Sequence, residues 1–168
     1  MRLGVKLRAG LFLAGVALMA APGTTGAAGP KPRSCFSPAE EVAELDVRQG
    51  IRLREGAAGC TARPFQMPLQ PIWDEIDKNY GPLFANQTRI RHAAFVREFA
   101  DNADNKEGEW NGRIVTYFRN YPLTDQYCTS IQKQLQAVQK GGWGAFTKQA
   151  AKSGDVVRMI YKSCPPGA

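Results

Sequence analysis

Hydrophobic positions along this chain recur, in segment after segment, at the spacing of a single helix face. Ile72, Trp73, Ile76 and Tyr80 do so behind Pro71, and Gly81-Pro82 closes that segment. His92, Phe95, Val96, Phe99 and Ala103 stand at i, i+3, i+4, i+7 and i+11, which predicts a buried face on a helix over residues 86–102. Ile114, Tyr117 and Phe118 mark a shorter helix over residues 110–121, ended by Pro122. Thr124 or Asp125 caps the next helix, whose face of Cys128, Ile131, Leu135 and Val138 runs until Gly141-Gly142 stops it. Trp143 and Phe146 then make a small apolar clasp. Beyond Ser153-Gly154-Asp155, a last helix repeats the stripe with Val157, Ile160, Tyr161 and Cys164. The run 101–112 is polar, acidic and glycine-containing, and it reads as a surface loop.

Nearer the amino terminus, Ser37-Pro38-Ala39-Glu40 combines an N-cap serine, proline at the first helical position and glutamate at N3, both halves of a capping box. On the helix that should follow, Glu41, Glu44, Arg48, Arg52 and Glu55 gather on one side, and Val42, Leu45, Leu53, Ala57 and Cys60 on another. Glu44 and Arg48 are ordered for an i,i+4 pair, which on a surface adds a few tenths of a kcal/mol. A hairpin competes with this helix, because Leu45, Val47, Ile51 and Leu53 alternate around Gln49-Gly50; the helix is the preferred reading. Pro64, Pro68 and Pro71 make residues 63–71 a connector. The fold class is therefore all-α: a small compact bundle of about five to six helices with two disulfides, with a short hairpin at 45–53 as the open alternative.

The first residues carry a different pattern. Arg2, Lys6 and Arg8 precede an unbroken run of 13 apolar residues and glycines, Ala9 to Ala21, followed by Pro22-Gly23 and a small, polar stretch to Ala28. That is the layout of a cleavable export signal, shorter than the roughly 20 apolar residues of a membrane span. Cleavage is expected near Ala27 or Ala28, with an uncleaved anchor as the lesser alternative. Lipid attachment at Cys35 is disfavoured, because basic and polar Lys31-Pro32-Arg33-Ser34 stand before it. The expected organisation is a signal peptide at 1–28, an N-terminal extension at 29–37 and one helical domain at 38–168. The formal charge of +7 shrinks once the leader goes, since 19 of the 22 basic residues then face 15 acidic ones. No stripe of Lys and Arg with interleaved aromatics appears, so nucleic acid is not an expected partner.

Cys35, Cys60, Cys128 and Cys164 all lie downstream of that leader, where an oxidising compartment would pair them. Cys128 opens one predicted apolar face and Cys164 closes another, which favours a Cys128–Cys164 bridge and leaves Cys35 with Cys60. A straight helix from Pro38 to about Ala58 is about 30 Å long, however, so either it breaks near Gly50 or the pairing crosses. The favoured bridges close separations of 25 and 36 residues, each stabilising by about 3–4 kcal/mol in the chain-entropy model.

Candidate chemistry is sparse. His92 is the one histidine, too few for a multi-histidine metal site, and its apolar neighbours suit a histidine at the core edge. No nucleophile elbow appears, and the cysteines lack the C-x-x-C spacing of redox, haem or zinc-ribbon motifs. Asp101, Asp104, Glu107 and Glu109 offer oxygen ligands, but Ala103 and Lys106 break the EF-hand order. Asn86-Gln87-Thr88 fits the glycosylation sequon. Asp74, Glu75, Asp77, Glu98 and Glu109 could furnish the two carboxyls of a glycosidase. Trp73, Trp110 and Trp143, with Tyr80, Tyr117, Tyr121 and Tyr127, could line a groove or fill a core.

These features predict a periplasmic or secreted, disulfide-stabilised helical domain that binds a protein or polymer of the cell envelope, with no catalysis, metal or cofactor and no membrane span after cleavage. The alternatives are an envelope enzyme acting on polysaccharide through those carboxylates, and an inhibitor or immunity-type protein.

Overall fold

In a computed structural model of the protein, which describes residues 33–152 and 162–165, the capping box at Ser37 opens the first helix as its sequence dictates. Ser37 Oγ accepts from the Glu40 amide at 3.4 Å, while Glu40 Oε2 accepts from the Ser37 amide at 2.8 Å. Helix α1 (Pro38–Thr61) then runs without interruption through Gly50, so the hairpin at 45–53 does not form. Just before it, β1 (Cys35–Phe36) pairs in parallel with β2 (Lys162–Ser163), two residues against two.

Helix α2 (Gln70–Phe99) joins the two helices expected over 71–102. Gly81-Pro82 fails to end it because an internal proline removes one N–H, and Pro82 is exposed, where water can satisfy the carbonyl left behind. Packing along the whole of α1 outweighs that single lost bond. A 3₁₀ turn (Ala100–Asn102) leads into α3 (Ala103–Arg119), which begins inside the expected loop 101–112. The reason is visible in the buried set Ala103, Glu107, Trp110, Ile114 and Phe118: it has helical period, but a carboxylate occupies the second position and hides the stripe.

Helix α4 (Asp125–Lys152) breaks at Gly142, whose φ of +65° and ψ of −159° leave the helical region at the expected stop. Beyond the break Trp143 and Phe146 are helical, and their rings stack at 4.8 Å. The helix expected after Ser153 is corrected at its end, where residues 162 and 163 form β2; its first part, like the signal peptide, lies outside the described residues. The protein is mostly helical. Among the described residues it has four α-helices, fewer than the five to six expected, chiefly because two merged into α2.

Two apolar cores result among the described residues. One joins Leu53, Ala57 and Cys60 of α1 to Leu69, Trp73 and Ile76 and to Cys128, Ile131, Leu135, Val138 and Phe146 of α4. The other joins Phe95 to Ala103, Trp110, Ile114 and Phe118. The bridges are Cys60–Cys128, with α carbons 5.6 Å apart, and Cys35–Cys164, at 5.0 Å. This corrects the expected pairing of Cys128 with Cys164 and Cys35 with Cys60. An unbroken α1 of 24 residues, about 36 Å long, separates Cys35 from Cys60 and carries Cys60 to the start of α4, so the crossed pairing is the one geometry allows.

Candidate functional site

The polar face of α1 does not all point to water. Glu44 and Arg48 are buried, whereas Val42, placed on the apolar side by the sequence, is 51% exposed. Glu44 Oε1 accepts from Arg48 Nη2 at 2.8 Å and from Trp110 Nε1 at 2.9 Å, and its Oε2 lies 3.4 Å from Arg91 Nη1. Arg91, 1% exposed, also donates through Nε and Nη2 to Glu107 Oε1 at 3.1 and 2.9 Å, and to Asn111 Oδ1 at 2.8 Å. Two carboxylates thus meet two guanidinium groups where α1, α2 and α3 converge. Buried ions persist only when paired and hydrogen-bonded in this way.

His92 sits at the rim of this cluster, its Nδ1 2.7 Å from Glu107 Oε2 and 3.9 Å from Asp104 Oδ1. Its side chain is 40% exposed, so it belongs to the edge of an ionic cluster and not to an apolar face. Arg48 and Arg113 place their guanidinium carbons 6.0 and 5.2 Å from the centre of the Trp110 ring, within cation–π range. Arg91 and Trp110 carry no motif; the sequence signals for the cluster are the i,i+4 order of Glu44 and Arg48 and the charged Glu107 at a core position of the Ala103–Trp110–Ile114 period.

A second ionic group secures the segment before α1. Arg97 pairs with Glu40 and with Glu98, and donates to the Cys35 carbonyl at 3.0 Å. Glu98 also accepts from the amides of Arg33 and Ser34 at 2.9 and 3.0 Å. Burial alone would raise the Glu40 and Glu98 carboxyls, but Arg97 and these backbone bonds outweigh it and hold both below the ordinary glutamate value. Glu55 behaves alike: Arg54 and Arg119 overcome its burial. Asp46 is the exception. It is buried, its Oδ2 has no hydrogen-bond partner among the described residues, and burial pushes its carboxyl up to about 6.

The five carboxylates suited to glycosidase work are scattered. Asp74 accepts from Gln70, Glu75 from Gln139, Glu98 belongs to the Arg97 group and Glu109 pairs with Lys106. The cleft lined by Glu109 and the one lined by Asp77 each hold no second member of the set. Among the described residues, no three of His, Cys, Asp and Glu gather as a metal site, and Glu107 of the acidic run turns inward. Asn86 and Thr88 lie within α2, not in a loop; Asn86 accepts from Arg89, and the Thr88 hydroxyl donates to the Phe84 carbonyl. Of the aromatics, Trp73 and Trp110 are buried core residues, while Tyr80 and Trp143 pack against the first core. Tyr117, Tyr121 and Tyr127 form a chain of rings with centroids 5.9 and 4.8 Å apart.

Trp73 also lines a cleft of about 210 Å3 between α1 and α2, together with Val47, Gly50, Ile51, Arg54, Asp77, Phe84 and Thr88. Of the sequence-predicted candidates this cleft brings together Asp77 and Trp73. No family model, curated protein or solved structure matches the chain. Among the described residues no helix is long and apolar enough to cross a membrane.

Proposed function

We propose that this chain is an exported, disulfide-braced helical domain that binds a protein or polymer of the cell envelope and performs no catalysis itself. The observation that carries the reading is the complete pairing of its cysteines: Cys60–Cys128 lies within the apolar core and Cys35–Cys164 ties the flanks of the domain together. Bridges of this kind form and persist in oxidising compartments, whereas a reducing cytosol keeps thiols free. The leader-like residues 1–28 support the same direction. Binding is preferred to catalysis because Asp77 and Glu109 line separate clefts, so neither has the facing carboxyl that glycoside hydrolysis requires.

Fractionation of the producing cell, combined with alkylation of free thiols and sequencing of the amino terminus, tests the reading. The expected product lies outside the cytosol, starts close to residue 29 and takes up no alkylating reagent until reduced. An intact chain in the cytosol with four reactive thiols would overturn it. The binding half is checked by retention of the oxidised protein on purified cell-wall polymer and on envelope protein extract, and release of sugar from that polymer would replace it with the enzyme reading.

A further inference from the structure

Charge is divided unevenly among the four helices. Five acidic residues accompany three basic ones in α1, four accompany four in α2, and three accompany three in α3. In α4 a single acid, Asp125 in the first turn, accompanies Lys133, Lys140, Lys148 and Lys152, and from Gln126 onward the helix has no carboxylate at all. All four lysines are exposed, and none has an ion-pair or hydrogen-bond partner among the described residues. Glu75 of α2 reaches the edge of this face, where it accepts from Gln139 at 2.9 Å.

Helical spacing puts the lysines on the outer side of both halves of α4. Lys133 and Lys140 are two turns apart, about 10 Å along the axis, and lie opposite the buried Ile131, Leu135 and Val138. Past the break at Gly142, Lys148 and Lys152 are one turn apart, about 6 Å, and lie opposite the buried Phe146 and Ala150. Val138 and Phe146 enter the same core, so the two lysine pairs look outward together. The exposed positions between them are Gln136, Ala137, Gln139, Gly141, Gly144 and Ala151: no acidic, aromatic or large aliphatic side chain interrupts the strip. At its first end a shallow hollow of about 380 Å3 is lined by Asp125, Gln126, Thr129, Ser130 and Lys133.

This composition selects among anionic partners. A helix that lies on a lipid surface carries large apolar side chains beside its basic ones. Single-stranded nucleic acid is held by aromatic rings that stack on its bases. Protein interfaces centre on aromatic and arginine anchors and are depleted in lysine. The strip has none of these anchors; beside its ammonium groups stand neutral amides and hydroxyls, the partners a chain of sugars offers hydrogen bonds to.

We infer that the outer face of α4 binds an acidic polysaccharide chain, whose charged groups pair with Lys133, Lys140, Lys148 and Lys152 and whose hydroxyls meet Gln126, Thr129 and Gln136. The inference rests on reading the chain as a binder of envelope polymer, and it names the chemistry of that polymer.

Binding of the oxidised full chain to immobilised polygalacturonate tests it, with dextran as the uncharged polysaccharide and poly(dT) as the polyanion that carries bases. Polygalacturonate should bind and dextran should not, and the affinity should fall about tenfold or more between about 50 and about 300 mM NaCl, because exposed charges are screened. Replacing the four lysines together by glutamine should lower the affinity about tenfold or more, and replacing them by arginine should keep it. Removing the same charge elsewhere, through Arg63→Gln, Lys78→Gln, Arg89→Gln and Arg113→Gln at exposed positions, should cost less than about threefold. All three variants should melt close to the parent. Full affinity in the glutamine variant, equal losses from the two sets of four, tighter binding of poly(dT) than of polygalacturonate, or no binding of polygalacturonate would each overturn the proposal. Retention on purified cell-wall polymer that survives the loss of all four lysines would overturn this face alone and leave the binding reading standing, whereas no retention on wall polymer or envelope extract would overturn the reading itself.

Discussion

Where α1 runs against α4, Leu53, Ala57 and Cys60 meet Cys128, Ile131 and Leu135 in one apolar core; where the same helix approaches α2 and α3, Glu44 and Arg48 meet Arg91, Glu107 and Trp110. Both regions are closed to water, but they fail in different ways. An apolar core loses free energy roughly in proportion to the atoms removed, whereas an ionic one depends on being complete. Removing one partner leaves a charge in a place that water cannot reach, although replacing all the partners by apolar groups can be nearly neutral.

Arg91→Ala should therefore be the most damaging single change, costing up to about 5 kcal/mol in urea unfolding because Glu44 and Glu107 both lose a counter-charge. The comparison is sharpened by Glu44→Leu, Arg91→Met and Glu107→Leu together, which should recover most of that loss; a triple variant no more stable than Arg91→Ala would break it. In the apolar region, replacing Cys60 and Cys128 by alanine opens a link spanning 68 residues and should cost about 4 kcal/mol, read as a lower urea midpoint. Leu135→Ala, at a fully buried position, should cost about 3 kcal/mol, and no second substitution should restore it as the triple variant does.

Next in size is Asp46→Asn. The native protein holds the Asp46 proton up to about pH 6 and the unfolded chain only to 3.8, so this group destabilises progressively as pH rises through that window and fully above it. The variant should be more stable than the parent by about 2 kcal/mol at pH 7.5 and no more stable at pH 4, measured by paired urea curves. Glu40, Glu55 and Glu98 act in the opposite sense: their lowered values give stability that is present above about pH 4.5 and lost as pH falls below it. The smallest expected effect is that of Gly56→Ala, whose new β carbon would stand 2.9 Å from Ile131 Cδ1; crowding against a better helix former should leave a net loss of about 1 kcal/mol in thermal melts.

The apolar region was the legible one. Cys128, Ile131, Leu135 and Val138 were set on one face by spacing alone, and the Ser37 capping box located the start of α1 to the residue. The ionic region was misread wherever charge stood at a core position. Spacing groups Glu44 and Arg48 with Glu41, Arg52 and Glu55 on one charged side, and Glu107 makes the first half of α3 read as a loop, because hydrophobic periodicity counts a buried carboxylate as a surface one. Gly81-Pro82 misled for another reason: local breaker chemistry is weaker than the packing of a long helix against its neighbour. The cleft was less legible still, since Val47 and Asp77 are far apart in sequence and share no motif.

The bond between Cys35 and Cys164 also has a mechanical meaning. It joins the two flanks of the described domain, and the small β1–β2 ladder holds the same strands side by side. A pull on the chain outside these residues is carried across one covalent bond. The four helices lie within the closed loop and bear none of that tension, so a motor or a tether drawing on either end strains a sulfur–sulfur link long before it can unwind a turn of helix.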